Sequence, residues 1–132
     1  MSNNFLLSNL VSSVKNGFMV KKPVVVVPFS NINSAICDIL KNEGFIEGYE
    51  SFEVRKGVKQ IKVNLKYVKL QSSIRQIELV SKPGRRMYKG YRQIKNYIDG
   101  LGVRIVSTNL GLMTDHEARS KKIGGEVVLN IF

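Results

Sequence analysis

One histidine, one cysteine and a few serines and acids are the side chains that could do covalent or acid–base chemistry in this chain. His116 stands in "TDHEAR", where the Thr114-x-x-Glu117 spacing is a capping box. Its imidazole therefore falls in the first turn of a helix and reads as an exposed surface group. Cys37 lies inside an apolar helical stripe, where a free thiol behaves as a small buried hydrophobe. Asp115 and Glu117 are close in sequence but are explained by the positive helix N-terminus they occupy. Ser107 has no histidine placed by sequence to activate it. There is no Cys/His ligand cluster and no Gly-Lys-Ser/Thr phosphate loop. An enzyme, a metal centre, a cofactor and a small-molecule substrate are therefore not expected.

What remains is the chemistry of contact. "SKPGRRMYKGYR", residues 81–92, interleaves Lys82, Arg85, Arg86, Lys89 and Arg92 with Tyr88 and Tyr91. Guanidinium forks match phosphate oxygens, and tyrosine rings stack on bases or sugars. The second segment is Ser107-Thr108-Asn109, three short side chains that each donate and accept. They carry no charge, so a phosphate alone does not explain them. The shallow minor groove of an RNA helix, lined with 2′-hydroxyls and base edges, offers groups of both kinds. The competing readings are a solvated turn for the first segment and a turn that satisfies its own backbone for the second.

Charge points the same way. The chain carries 21 Lys+Arg against 10 Asp+Glu, a net of +11. Between Arg55 and Lys95 stand 13 basic residues and one acid, Glu78, while the flanking thirds are nearly balanced. Concentrated self-repulsion of this kind fits a polyanion partner, nucleic acid before a membrane surface. The longest clean apolar run, Val24 to Val27, is far short of the ~20 residues that span a bilayer. The single cysteine allows no intramolecular disulfide and fits a reducing compartment.

The elements that must hold these groups follow from periodicity. Leu7, Val11, Val14 and Phe18 mark a helix, with Asn3 or Asn4 as cap and Gly17 as stop. "PVVVVP" reads as a short buried strand. Ile32, Ala35, Ile36, Ile39 and Leu40 give a second helix, capped by Ser30 or Asn31 and closed by Gly44. Alternation at residues 61–67 predicts a strand, joined through "RKGVK" to another at 52–55. A further strand covers Ile77 and Leu79, and Pro83-Gly84 suits the centre of a type II turn. Ile94, Tyr97 and Ile98 predict a short helix ending at Gly100. A strand at Val103 to Ser107, a capped helix broken by Gly124-Gly125, and a last strand at 127–131 complete the chain. The order α-β-α-β-β followed by a mostly β half with short helices favours an α+β class in two small domains, 1–71 and 72–132.

These residues resemble a known family. The stretch from Gly100 to Phe132, "GLGVRIVSTNLGLMTDHEARSKKIGGEVVLNIF", is similar to the C-terminal half of the eighth family of small-subunit ribosomal proteins. That family shows a Ser-Thr-Ser turn, Thr-Asp-x-Glu-Ala-Arg, and Gly-Gly-Glu before the last strand. Val80 to Tyr88 matches its Ser-Lys-Pro-Gly motif, and Glu43 to Ile46 its "EGFI". The resemblance implies two small α+β domains and a structural role. Members bind a helix in the central domain of small-subunit ribosomal RNA, beside neighbouring small-subunit proteins, and some repress their own messages. It carries RNA contacts onto Ser107 and Thr108, Tyr88, Lys82, Arg85 and Arg86, and onto Gly124, Gly125 and Glu126. A glutamate facing RNA acts as an acceptor, from a base amino group or a hydroxyl. Two departures stand out. Asn109 replaces the third turn residue, and the first helix keeps Lys15 and Asn16 but lacks the charges usual in bacterial members. Drift towards Lys, Asn and Ile suits an AT-rich organellar genome, so a mitochondrial ribosome is preferred to a bacterial one. The alternative classes are a nucleic-acid-binding regulator outside the ribosome and a protein-interaction module.

Overall fold

The structure is a computed structural model that describes residues 2–132 except 82, 83, 85 and 99, with side chains described from Leu6 onward. In chain order the elements are α1 (Ser2–Met19), β1 (Val24–Pro28), α2 (Asn31–Asn42), β2 (Ile46–Arg55), β3 (Val58–Leu65), β4 (Tyr67–Val68), β5 (Gln71–Ser72), β6 (Ile77–Leu79), β7 (Tyr88–Lys89), a 3-10 turn (Tyr91–Gln93), β8 (Val103–Thr108), β9 (Gly111–Thr114), α3 (Asp115–Ser120) and β10 (Gly125–Ile131). The class is α+β, with antiparallel sheets throughout. The chain divides into two compact units, residues 1–74 and 75–132.

In the first unit the sheet order is β1-β3-β2, and α1 and α2 pack against it. Val25, Val27, Ile61 and Val63 alternate inward beneath Leu10, Val14, Ile36 and Leu40. The strand at "VVVVP" is not buried throughout, as its apolar run suggested. It is an edge strand, and Val26 is turned outward. Asn3 and Asn4 lie within α1 and do not cap it, and Gly17 does not end it. A Cβ at Gly17 would sit 2.5 Å from Val25 Cγ1 and 2.9 Å from Leu65 Cδ1, so glycine lets the helix approach the sheet. The helix ends instead through Lys21 in the left-handed region (φ 58°). Ser30 caps α2, its hydroxyl accepting from Asn33 N at 3.0 Å. The Lys56-Gly57 turn joins β2 to β3, with Gly57 at φ +82°. Tyr67 leaves the β3 ladder and enters the small β4–β5 hairpin.

In the second unit the sheet order is β6-β10-β8-β9, with β7 also paired to β10. β10 is central, and all five residues from Val127 to Ile131 are buried. Its register shifts between Val127 and Leu129, which breaks strict alternation. Ile94, Val106, Met113 and Ala118 form a core under α3. Two expectations are corrected here. The helix over residues 94–98 does not form, because its carbonyls are taken by side chains. Arg119 donates to Ile94 O at 3.1 Å and Arg104 to Lys95 O at 3.0 Å, while buried Ile94 is extended. Ser107-Thr108-Asn109 does not merely link a strand to a helix, for β8 and β9 form a hairpin around Asn109-Leu110. Among the described residues no helix is long and apolar enough to cross a membrane.

Candidate nucleic-acid interface

Three strands bring the predicted contact residues of the second unit into one line. Tyr88 on β7 opposes Glu126 on β10, and Glu126 opposes Ser107 on β8. Directly opposed residues of an antiparallel pair share a sheet face. Tyr88, Glu126 and Ser107 therefore stand side by side. The next row, Val127, Val106 and Met113, faces the core instead. The face that carries the rung is itself buried further along, where Ile105 pairs with Leu129, so the rung marks the end of the sheet at which polar side chains reach the surface.

The rung holds one carboxylate and its partner. Arg86 donates from Nη1 to Glu126 Oε2 at 3.1 Å, on side chains 34% and 17% exposed. A bare carboxylate would repel a polyanion; seated against a guanidinium it keeps acceptor sites without presenting net charge. Among the described residues Ser107 Oγ and the Tyr88 hydroxyl have no hydrogen-bond partner. Tyr88 is 70% exposed, an aromatic ring offered to solvent beside that pair.

Thr108 behaves differently from Ser107. Its hydroxyl donates to Gly111 O at 2.8 Å and accepts from Leu110 N at 3.1 Å. The self-satisfied turn that competed with a contact role therefore describes Thr108, whereas Ser107 and the exposed Asn109 remain open. Gly111, at φ +108°, supplies the left-handed backbone that closes the hairpin.

Gly124 and Gly125 have a job other than breaking α3. That helix already ends at Ser120, with Lys122 left-handed. A Cβ on Gly125 would fall 2.2 Å from Ser107 O, and one on Gly124 2.6 Å from Lys89 O. The pair lets β10 close against the strands that carry Ser107 and Tyr88. Ser81, which sequence reasoning left unassigned, anchors the basic turn. Its buried hydroxyl donates to Val127 O at 2.8 Å and accepts from Met87 N at 3.0 Å. Within that turn Gly84 has φ +78°, the value a type II turn requires at its third position. Lys82, Pro83 and Arg85 lie outside the described residues.

Not every cation is available to a ligand. Arg119 donates to Asp115 Oδ2 at 2.9 Å, and Arg104 to Asn130 Oδ1 at 3.1 Å while lying 5.0 Å from the Tyr97 ring centre. Both are structural. Lys15 and Asn16 belong to the first unit, exposed on α1. His116 is exposed at the start of α3, and Cys37 is fully buried, its thiol pushed up to about 12 by desolvation.

A family model for ribosomal protein S8 matches residues 6–132. The chain belongs to the ribosomal protein S8 family. Its relatives in that family include the small ribosomal subunit protein uS8 of Nitrobacter winogradskyi, 39% identical over the whole of both chains. Those of Paramagnetospirillum magneticum and Gluconobacter oxydans are 41% and 40% identical over 96% of each chain. These S8 relatives are bacterial, so the preference for a mitochondrial setting finds no support in them, and the bacterial alternative fits.

Proposed function

We propose that the chain is a non-catalytic structural constituent of the small subunit of a bacterial-type ribosome. It binds a helix in the central domain of small-subunit ribosomal RNA and helps that domain assemble beside neighbouring small-subunit proteins. The RNA-binding part is the C-terminal domain, residues 72–132. The observation that carries this reading is the Tyr88–Glu126–Ser107 rung, polar and outward-facing, with Arg86 seated on its one carboxylate. Lys82 and Arg85 supply affinity through phosphates, and Arg86 shares its guanidinium between Glu126 and the phosphate backbone. Ser107 and Asn109 read groove shape and hydroxyls, and Glu126 accepts from a base amino group or a 2′-hydroxyl. Thr108 holds the turn that presents them, and Gly124 and Gly125 allow the strands to close. Lys15 and Asn16 on α1 add a further polar contact.

A salt-titrated gel shift tests this. The full chain meets the central-domain helix of its small-subunit RNA, with a scrambled duplex of equal length as competitor. Preference for the cognate helix at 150 mM salt is expected. If about six phosphates are neutralised, affinity falls roughly a thousandfold between 50 and 200 mM salt. Equal, steeply salt-sensitive binding to both duplexes would refute the reading of the rung.

A further inference from the structure

The two open edges of the first unit's sheet are built differently. β1 is five residues long, preceded by Pro23 and ending at Pro28. Proline cannot donate to an added strand, and natural sheets block their edges in this way. β2, at the other edge, is ten residues long and contains neither proline nor lysine. It is hydrogen-bonded along one side only, to β3. Ser51 to Arg55 are all exposed, including Phe52 and Val54 at 40% and 55%. The pairing of β2 with β3 shifts register between Ile46 and Gly48 and again between Glu53 and Arg55, so the regular open edge runs over residues 48–53. Free of proline and carrying Phe52, that stretch is a template for one more strand.

The charges on the edge state which strand it takes. Glu47, Glu50 and Glu53 lie on β2 and are exposed, against one cation of the strand, Arg55 at its end, and with Lys59 opposite Glu53 on β3, in a chain whose net charge is +11. Glu50 meets Lys62 at 3.8 Å across solvent-exposed side chains; Glu47 and Glu53 have no ion-pair partner among the described residues. Carboxylates repel phosphate, so this edge is no second RNA contact. Two copies joined along it would gather six carboxylates in one ribbon, which opposes self-pairing. We infer that the β2 edge receives an extended basic segment of another protein as a fourth strand. Main-chain bonds to residues 48–53 hold it; Glu50 shares a face with Phe52 and Glu53 stands on the other, so the segment carries Lys or Arg on both faces and an apolar side chain beside Phe52. This is independent of the RNA reading, because it uses strand backbone and side chains of residues 1–74 only.

The test uses the full chain and a synthetic ten-residue peptide in which pairs of lysines alternate with pairs of valines, so that each face of the added strand carries both. Controls are the glutamate–valine counterpart and an oligouridylate. With the cationic peptide at ten times its Kd, amide exchange in residues 48–53 slows about tenfold. The anionic peptide and the oligouridylate leave it unchanged. Val54→Lys, at an exposed position, abolishes the protection, and the combined Glu47→Gln, Glu50→Gln and Glu53→Gln variant weakens binding at least tenfold. Protection elsewhere, protection by the oligouridylate, an unaffected triple variant, or concentration-dependent self-association through this edge would each overturn the proposal.

Discussion

In residues 1–74 the long exposed strand carries three glutamates, one of them facing a lysine across solvent. In residues 75–132 the outward row of the sheet carries a single glutamate, and Arg86 sits on it at 3.1 Å. The same side chain has opposite consequences in the two places. On β2 it leaves a negative edge on a strongly basic chain; on β10 it becomes an acceptor held in a neutral pair. A net charge of +11 foretells a polyanion partner, but not which surface meets it. The nearest counter-ion and the strand pairing beneath it are what set the two surfaces apart.

The comparison can be broken most severely at the glycines. Gly125→Ala drives a Cβ into the backbone of Ser107, which cannot yield alone, and should cost about 3 kcal/mol, the upper end of overpacking penalties. Gly17→Ala meets Val25 Cγ1, on a side chain stiff at χ1, and Leu65 Cδ1; overpacking less about 1 kcal/mol of helix propensity leaves a net cost of about 1–2 kcal/mol, below that of Gly125→Ala. Urea unfolding measures both, and equal losses would show that the two close approaches do not differ in kind.

Ser107→Ala combined with Thr108→Ala should cost about 1–3 kcal/mol of affinity for the cognate RNA helix. The single variants sharpen this. Thr108→Ala should lower stability by about 1 kcal/mol, because it removes both turn bonds. Ser107→Ala should leave unfolding unchanged and lower RNA preference alone; an equal loss on random duplex would remove Ser107 as a reader. Lys82→Ala should act on every duplex alike and reduce the salt slope by about 1. The smallest effect is at Cys37. Its thiol is raised to about 12, so the stability tied to keeping it protonated is intact below pH ~9 and declines as pH rises from about 9 towards 12. A thiol reagent at pH 8 should therefore label the chain only after it unfolds.

Much of this was legible in the sequence because it is local. Period-two alternation located β3 and β10, the stripe through Ile36 and Leu40 located α2, and Thr114 caps α3 as its spacing required. What escaped depended on distant partners. Nothing near Ile94 or Lys95 shows that Arg119 and Arg104 will claim their carbonyls and displace a helix. Gly17, Gly124 and Gly125 look like stops until the strands they touch are known. β9 has too little alternation in four residues to register as more than an optional strand, so the hairpin through Ser107-Thr108-Asn109 was not legible. The ladder assigns these three to different tasks: Ser107 to the rung, Thr108 to the turn, Asn109 to the tip. For the same reason Ser81 passed unnoticed, since its two partners lie 6 and 46 residues away.

The hydroxyl of Thr108 has a calorimetric consequence. By bonding Gly111 O and Leu110 N it folds the β8–β9 tip before any ligand arrives. An RNA docking there orders no new backbone, so its heat-capacity change should follow the surface covered on contact, without the large added decrement of coupled folding.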